Sequence, residues 1–550
     1  MTAKIGARRL RVCHIVATTE GAVWAFEQLR DLRDLHGFDV AVVLNGDSGK
    51  LVDRFRAAAI PVHVADFDFT SHPDLVNLPH KVLRIVRLLR RERFDVVQTH
   101  LFHSMVIGRI AGWIADVPVR LSMIAGPFHL EAYTPRWIDH FTSWMDTAII
   151  PSCEHTRQLY RGLGIAERRL SLIYYGPDER KFDPAMPAAG LRREFGWHEA
   201  TALVGMIAYF YTELPSNRWI PPILHGKALK GHEHLIRAAP IVLSEFPDTK
   251  FLLVGNGWEE GGRQQMERMR ALAIELGLAD SVIFTGFRTD VPRIYRDLDI
   301  SVQPSLNENL GGTIESLLME RPTIVTRVGG LTDSVVDGET GVVVNPGDPE
   351  DLARAILRLL RDPAAARALG KAGRARMLAR FTLRRTVDDL AALYRRLEAI
   401  RPKRFRSHIT TARLILAGVF ASAVAVRFLV FDVYLLPRWD LGWRPWHRRS
   451  LSLWPRIWLY RSYAWLGRHS GFGLRNKLYA LRAWPRMQLY RAYAFVGHHS
   501  SFGLRNKLHA LRSWPGMQLY RAYAFVGRHS SFGFRRKLRR AFSRLTDRKT

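Results

Sequence analysis

The sequence of 550 residues is too long for one domain, and at roughly 150 residues per domain it predicts two to four. Hydrophobic residues make up 47% and charged residues 24% of the chain, which excludes wholesale disorder. The net charge of +31 is uneven, because residues 401–550 hold 31 Lys and Arg against three acids, whereas residues 1–400 are nearly neutral. Only two cysteines, Cys13 and Cys153, are present, which excludes a disulfide framework and favours a reducing compartment.

Short apolar runs alternate with longer helical patterns through residues 1–185. The runs predict strands at 12–17, 39–44, 60–65, 95–98, 147–150 and 170–174, with helices at 23–35, 49–59 and 105–115. Continuous apolar strands separated by helices are typical of a parallel sheet covered on both faces. We therefore expect a Rossmann-like domain over residues 1–185.

The same rhythm begins again in residues 186–400. Strands are predicted at 203–208, 251–254, 282–285, 300–303, 323–326 and 341–344, and a last helix at 383–400 is expected to lie on the surface and close the unit. The fold class is therefore α/β, with two doubly wound domains that meet at a cleft. Strand carboxyl ends and helix N-termini facing such a cleft favour a nucleotide-bearing ligand.

Residues 304–318, with the sequence PSLNENLGGTIESLL, follow a predicted buried strand and open a helix. Gly311 and Gly312 allow backbone to approach a ligand closely, and a helix N-terminus presents free N–H groups to phosphate. Glu308 and Glu315 flank these glycines, and carboxylates beside a phosphate site suit sugar hydroxyls. The alternative is a helix N-terminus at which the dipole alone favours acidic residues.

This segment resembles the retaining nucleotide-sugar glycosyltransferases of the GT-B fold, the glycosyl transferases group 1 (family four). The match runs from about Arg9 to Ile400 and keeps the order and spacing of the family's motifs. The matching motifs are DVVQTH at 95–100, PS at 151–152, GPD at 176–178, KGHE at 230–233, VGNG at 254–257, FTGF at 284–287, Asp290, RVGGL at 327–331 and DGETG at 337–341.

The resemblance implies a nucleotide-diphosphate sugar as co-substrate, usually UDP-linked, held mainly by the second domain. By matching positions, Lys230 is expected to neutralise the diphosphate, and Glu315 to accept hydrogen bonds from the ribose hydroxyls. The other expected donor-binding residues are Gly21, Asp290, Leu310, Gly311 and Gly312, and backbone N–H groups of the last three are expected to bind phosphate oxygens. Asp290 alone could equally be a helix cap before Pro292.

For catalysis the resemblance implies that Glu308 holds the donor sugar and that His100 faces both this sugar and the acceptor. Departure of a diphosphate builds negative charge, so cations and N–H donors must be in place for it. The family's front-face route, in which a leaving-group oxygen takes the acceptor proton, implies retention. No metal ion and no further cofactor are expected, since the histidines lack metal-ligand spacing.

Three positions depart from the family pattern. The family separates its two glutamates by seven residues, whereas six lie between Glu308 and Glu315, so that the usual spacing would pair Asn307 with Glu315. Tyr209 stands where the family has an arginine, and an insertion at residues 211–224 follows. Arg218 or Lys227 is a candidate to replace the arginine. The loop at residues 19–22 has one glycine, Gly21, where two are common.

The strongly basic region 401–550 forms a separate part of the chain. Residues 401–450 are an apolar and basic linker whose uncharged run, 414–426, is shorter than the roughly 20 residues that span a bilayer. An interfacial or re-entrant segment within 409–436 is favoured over a full span. Residues 451–540 are three tandem 30-residue repeats rich in Trp, Tyr and Arg, followed by a basic terminus at 541–550.

Aromatic rings beside arginines suit a membrane–water interface, and the tail is therefore expected to bind an anionic membrane surface. Self-packing as a small helical solenoid and binding to nucleic acid are the alternatives. The N-terminus shows no signal-peptide pattern. The sequence thus predicts a glycosyltransferase at the cytoplasmic membrane face with a glycan or lipid-linked acceptor. The alternative is a non-catalytic nucleotide-sugar-binding scaffold whose tail recruits membrane or nucleic acid.

Overall fold

The computed structural model describes residues 9–69 and 72–400, apart from the side chains of residues 72–76. The predictions for 401–450, 451–540 and 541–550, including the apolar run at 414–426, lie outside the described residues. In the described part of the chain, no helix combines the length and the apolar character needed to cross a membrane.

The N-terminal domain contains a six-stranded parallel sheet in the order β3-β2-β1-β4-β5-β6. Its strands are β1 (Arg11–Val16), β2 (Asp39–Leu44), β3 (Val62–Val64), β4 (Val96–His100), β5 (Val119–Ile124) and β6 (Ala148–Pro151). Its helices are α1 (Val23–His36), α2 (Lys50–Ala57), α3 (His72–Glu92), α4 (Phe102–Ile114), α5 (Phe128–Glu131), α6 (Tyr133–Ser143) and α7 (Glu154–Gly162).

The C-terminal domain repeats this plan, with the parallel order β12-β11-β10-β7-β8-β9. Its strands are β7 (Leu203–Ile207), β8 (Lys250–Val254), β9 (Val282–Gly286), β10 (Ile300–Gln303), β11 (Thr323–Thr326) and β12 (Val342–Val344). The helices are α8 (Leu191–Glu194), α9 (His232–Leu243), α10 (Glu259–Glu275), α11 (Val291–Asp297), α12 (Thr313–Leu318), α13 (Leu331–Ser334), α14 (Pro349–Arg361), α15 (Pro363–Arg380) and α16 (Leu383–Ala399). The predicted α/β class with two Rossmann-like domains is confirmed.

Two local predictions were wrong, and two elements were missed. Residues 170–174 form only a single bridge, from Leu170 to Ile149 of β6, because Pro151 at the end of β6 has no N–H group to continue a ladder. Helix α3 and strand β5 were not predicted; the alternating sequence of β5 lacks the continuous apolar run used to find buried strands. Helix α16 is not a surface helix of the second domain, since its apolar face packs in the N-terminal core.

Each sheet reverses its strand order between two neighbouring strands, β1 and β4 in the first domain and β7 and β10 in the second. In open α/β sheets, ligands bind outside the carboxyl ends of the strands at this switch point. The loops that follow β1 and β4 contain Gly21 and lead to α4, and those that follow β7 and β10 contain Lys230 and residues 304–312. The predicted site residues therefore follow the strands at which this rule places a ligand.

Candidate functional site

The loop at residues 304–312 joins β10 to α12 and is buried at its start and open at its end. Residues 304–307 are buried, whereas Gly311 is exposed and Gly312 is partly exposed. Gly311 has a φ of +53°, which favours glycine, and a Cβ there would lie 3.2 Å from the Glu308 side chain. No side chain caps the start of α12 at Gly312. The turn thus leaves backbone accessible beside a carboxylate.

Lys230 is brought to this loop by the glycine that follows it. Gly231 has a φ of +75°, and a Cβ there would lie 2.0 Å from the carbonyl oxygen of Pro304. The N–H group of Leu306 also donates to the carbonyl of Leu229, at 2.9 Å. Any residue other than glycine at 231 would therefore push apart the two loops that hold Lys230 and Glu308.

Lys230 forms an ion pair with Glu308, and both side chains are largely buried, at 16% and 11% exposure. The Glu308 carboxylate also accepts hydrogen bonds from the Asn309 N–H group at 3.1 Å and from the Ser305 hydroxyl at 3.3 Å. The Lys230 ammonium lies 5.9 Å from the centre of the Tyr211 ring. A buried cation is thus held beside the open glycine turn.

The position of Asn307 explains why six residues, rather than the family's seven, separate Glu308 from Glu315. Its side-chain amide donates to Glu131 of α5, across the gap between the domains, and Glu131 also pairs with His155 at 2.7 Å. Glu308, rather than Asn307, therefore contacts the lysine. The one-residue difference in spacing leaves a carboxylate at the site and gives the adjacent amide an interdomain contact.

Glu315, on α12, faces the N-terminal domain near Glu27 of α1. Burial of the carboxyl group, followed by repulsion from Glu27, raises the pKa of Glu315 to about 7, and the positive charge of Lys181 opposes this effect. Glu27 is itself buried and forms an ion pair with Lys181. Glu315 therefore exchanges its proton near neutral pH and lies where two domains meet.

Two other predicted donor-binding residues, Gly21 and Leu310, differ in their surroundings. Gly21 is exposed, with a φ of +61°, and a Cβ added there would contact nothing within 4 Å. It lies two residues before α1, the helix that contains Glu27. Leu310 is buried in the core of the C-terminal domain, so that its side chain fixes the loop while only its backbone could meet a ligand.

His100, at the end of β4, is fully buried rather than exposed to a ligand. Its ring nitrogens hydrogen-bond with His14 at 3.1 Å and Tyr175 at 3.3 Å, and its ring packs against Trp24 at 4.9 Å. Burial, followed by the charge of His14, holds the pKa of His100 well below its usual value. These partners extend to Tyr394 of α16, which explains the burial. A role for His100 in catalysis stays a prediction.

Asp290 precedes α11 at the N-cap position but makes no side-chain cap hydrogen bond. Its carboxylate is instead held by Arg288, whose side chain also contacts Glu194. This hydrogen-bonded pair lowers the pKa of Asp290. Tyr295 of the same helix reaches the carbonyl of Gly312 at 3.3 Å, which links α11 to the glycine turn. Contact of Asp290 with a ligand stays a prediction.

The segment between β7 and Lys230, residues 211–228, contains the insertion and is here called the strap. It crosses to the N-terminal domain, where the carbonyl of Arg218 accepts from the Thr134 N–H group at 2.9 Å and the Arg218 guanidinium lies 4.9 Å from the ring centre of Tyr133. Arg218 is therefore engaged on the N-terminal domain, and its substitution for the missing arginine stays a prediction. Tyr209 is exposed, and its ring centre lies 5.3 Å from that of Trp258.

Residues that approach the site from the N-terminal domain were missed from the sequence. Glu27, Lys181 and Glu131 belong to no motif that marks them. Glu131 contacts Asn307 of the second domain, and Glu27 and Lys181 act on Glu315 through their charges. Within residues 9–69 and 72–400, no group of three or more His, Cys, Asp or Glu side chains is arranged to hold a metal ion. Independence from metal stays a prediction.

Two sequence families match the chain. A family described as "Glycosyl transferase 4-like domain" matches residues 20–176, and "Glycosyl transferases group 1" matches residues 223–362. The first match covers most of the N-terminal domain. The second covers the strap from residue 223 onward, Lys230, the 304–312 loop and Glu315.

Curated relatives align over most of the two domains. The 2-deoxystreptamine glucosyltransferase of Streptomyces kanamyceticus is 27% identical over 382 residues, which is 66% of this chain and 92% of that protein. The D-inositol 3-phosphate glycosyltransferase of Acidothermus cellulolyticus is 30% identical over 353 residues, which is 61% of this chain and 72% of that protein.

Solved structures share the fold. An Anabaena protein crystallised in complex with UDP aligns with a TM-score of 0.57 at 20% identity, over 70% of this chain and 100% of that one. This likeness supports the two-domain arrangement.

Proposed function

Because this chain belongs to the glycosyl transferases group 1 and is a nucleotide-sugar glycosyltransferase of the GT-B fold, we propose that its donor is UDP-linked and that transfer proceeds with retention. We further propose a glycan or lipid-linked acceptor. The UDP bound to the Anabaena neighbour supports the choice of nucleotide. The observation that carries the proposal is the buried Lys230–Glu308 pair beside the open Gly311–Gly312 turn.

The Lys230 ammonium is neutralised by Glu308. A donor diphosphate entering beside the glycine turn would compete for this lysine, and the Ser305 hydroxyl and Asn309 N–H group would continue to hold Glu308. Glu308 would then be free to accept hydrogen bonds from sugar hydroxyls. As the bond to the diphosphate breaks, Lys230 and the backbone N–H groups of the turn would stabilise the growing negative charge.

Glu315 is suited to the ribose of the donor, because its ionised carboxylate would accept hydrogen bonds from two adjacent hydroxyl groups. The pKa of Glu315 is raised to about 7, so part of the protein carries a protonated Glu315 at neutral pH. Because the ribose hydroxyls would bind the ionised form, donor binding would favour loss of this proton. Near Glu315, the ion pair between Glu27 and Lys181 reduces the net negative charge at the domain boundary.

Retention is proposed through a front-face route, in which an oxygen of the departing diphosphate takes the acceptor proton. This route needs no protein base. His100 is poorly suited to serve as one, since it is fully buried, hydrogen-bonded, and has a pKa far below its usual value. We propose that it positions β4 and the start of α4 instead.

The site is tested by Lys230→Ala and Glu315→Ala, with Lys371→Ala on the exposed face of α15 as the matched control. Release of UDP from a panel of UDP-sugars, with and without added acceptors, is measured by mass spectrometry. We expect a loss of about 10²-fold or more in both site variants and none in the control. Near-normal turnover in both site variants would overturn the assignment. A wild type that binds UDP-sugars but releases no UDP would point to the scaffold function.

We propose that the protein works at the cytoplasmic face of a membrane, bound peripherally through residues 401–550. The excess of positive charge there supports attraction to anionic lipid. Helix α16 ends at Ala399, so deletion of 401–550 leaves the described contacts of the body intact. We expect the deletion to abolish binding to anionic liposomes while UDP-sugar turnover remains; unchanged liposome binding would refute the proposal. Preference for single-stranded RNA over vesicles in a salt titration would favour the nucleic-acid alternative.

A further inference from the structure

A cavity lies on the seam between the two domains, behind the loop that carries Glu308. Its volume is about 520 Å³, within the range of roughly 300–1,000 Å³ typical of small-molecule sites. Neither Lys230 nor the Gly311–Gly312 turn lines it. Leu306 and Gly329 form part of its wall, and the N–H group of Gly330 approaches the carbonyl of Glu308 at 3.4 Å. The cavity therefore adjoins the Glu308 loop without being the site built around Lys230.

The polar lining combines hydrogen-bond acceptors and donors that sugar hydroxyls can use. Glu131, Glu154 and Asp333 supply carboxylates from both domains. Gln158 and Arg327 also line the cavity, and among the residues that the structure describes neither side chain has a hydrogen-bond or ion-pair partner. Unused donors and an amide that both donates and accepts match the vicinal hydroxyls of a saccharide.

The charge of the lining selects among ligands. Three carboxylates face the Arg327 guanidinium and the His155 ring, which pairs with Glu131 at 2.7 Å. The carboxylates outnumber the basic groups, so that a phosphate or pyrophosphate group would meet net repulsion, whereas a neutral or amino-bearing sugar would not. Apolar surface completes the wall, from Leu306, Val328 and Pro346. Such surface packs against the C–H faces of a sugar ring while the few polar groups fix its orientation.

The strap supplies the remaining wall, through Pro221, Pro222 and Ile223. It is fixed to the N-terminal domain at two points: the Thr134–Arg218 backbone hydrogen bond, and Trp219, which packs near Phe102 with ring centres 6.4 Å apart. The strap leaves the C-terminal domain after β7 and returns to it just before Lys230, while its middle is held on the N-terminal domain, so the wall that it supplies depends on contacts with both domains.

We propose that this cavity binds a neutral or amino-bearing saccharide unit of the acceptor, other than the unit that receives the new bond. The inference rests on the proposed glycosyl transfer. The Asn307–Glu131 hydrogen bond separates the cavity from the Lys230–Glu308 pair, so a sugar here lies beyond the reacting group. The strap thereby becomes a specificity element for extended acceptors.

The test fills the cavity with Gln158→Trp, an exposed position on α7, and compares it with Gln264→Trp, the same change on the exposed face of α10. Binding of methyl α-D-glucopyranoside and D-glucosamine is measured by saturation-transfer NMR with UDP present, and UDP binding by calorimetry. We expect both sugars to bind the wild type and Gln264→Trp, and to bind Gln158→Trp at least about tenfold more weakly. UDP affinity should be equal in all three proteins.

Absence of sugar binding to the wild type, equal sugar binding by Gln158→Trp, or displacement of the sugars by pyrophosphate would each overturn the inference. Thermal unfolding of Gln158→Trp establishes that a loss of binding is not a loss of fold. Failure of UDP to bind the wild type would instead overturn the proposed function. In that case, sugar binding by the wild type that is abolished in Gln158→Trp would still support the cavity as a saccharide site.

Discussion

Replacing Glu315 with glutamine should stabilise the protein while abolishing transfer. Burial and the nearby charge of Glu27 raise the pKa of Glu315 from 4.5 to about 7. A carboxyl group with a higher pKa in the folded chain than in the unfolded chain lowers stability as pH rises between these two values. At about 1.4 kcal/mol per pKa unit, ionised Glu315 costs about 3 kcal/mol above pH 7, an upper bound because the residue is partly exposed.

Thermal unfolding of the full chain, followed by circular dichroism from pH 4.5 to 8.5, measures this cost. At roughly 2–4 °C per kcal/mol for domains of this size, Glu315→Gln should unfold up to about 10 °C higher than the wild type at pH 8 and at nearly the same temperature at pH 4.5. Glu267→Gln, at an exposed position of α10, is the control. A gain of equal size at both pH values, or none at pH 8, would refute the argument.

Three further outcomes are expected from the same geometry. Affinity for UDP-glucose, whose diphosphate diester does not titrate near neutrality, should fall by up to about tenfold per pH unit below pH 7 and lose this dependence in Glu315→Gln, as measured by calorimetry. Arg109→Met should destabilise the fold by about 3–5 kcal/mol in chemical denaturation, because it removes the buried guanidinium that pairs with both Asp139 and Asp146, two fully buried carboxylates. Gly231→Ala should reduce UDP release more than it reduces secondary structure by circular dichroism, since its Cβ would displace Pro304 and with it the Lys230 contact.

The sheet architecture could be predicted from sequence because buried parallel strands are continuous apolar runs. All six strands of the C-terminal domain lie within one residue of the predicted bounds, as at 300–303 and 323–326. Strand β5 escaped because Arg120 and Ser122 interrupt its apolar pattern; these side chains are used in polar contacts with the segment around Met145 and Asp146. The spacing of apolar residues along a sequence does not reveal such polar contacts.

The placement of α16 could not be read from local pattern either. Its amphipathic sequence fits a helix on any surface, and only the fold reveals that Tyr394 hydrogen-bonds with His14 and with Gln98 of β4. That same contact network withdraws His100 from solvent. The prediction that His100 faces a ligand treated the end of β4 as open, whereas a helix from the far end of the body covers the polar residues beneath it.

The Lys230–Glu308 pair was expected at one site by motif order alone, and Gly231 explains the approach of the two loops. Residue types in a motif, however, do not identify partners from another domain. Glu27 and Glu131 stand in helices with no distinguishing spacing, and their contacts with the second domain depend on how the two domains meet. The sequence therefore predicts the part of the site in the C-terminal domain more fully than the part that the N-terminal domain contributes.

The side-chain amide of Asn307 shows how the site depends on the contact between the two domains. Asn307 donates to Glu131, whereas a carboxylate at this position would repel it and would force apart the loop that holds Glu308 and the helix that pairs with His155. Asn307→Asp should therefore lower UDP release and increase the radius of gyration in X-ray scattering. Adding Glu131→Gln exchanges donor and acceptor and should restore both quantities, because glutamine can donate to the new aspartate. A double variant as impaired as Asn307→Asp would mean that the contact does not hold the domains together.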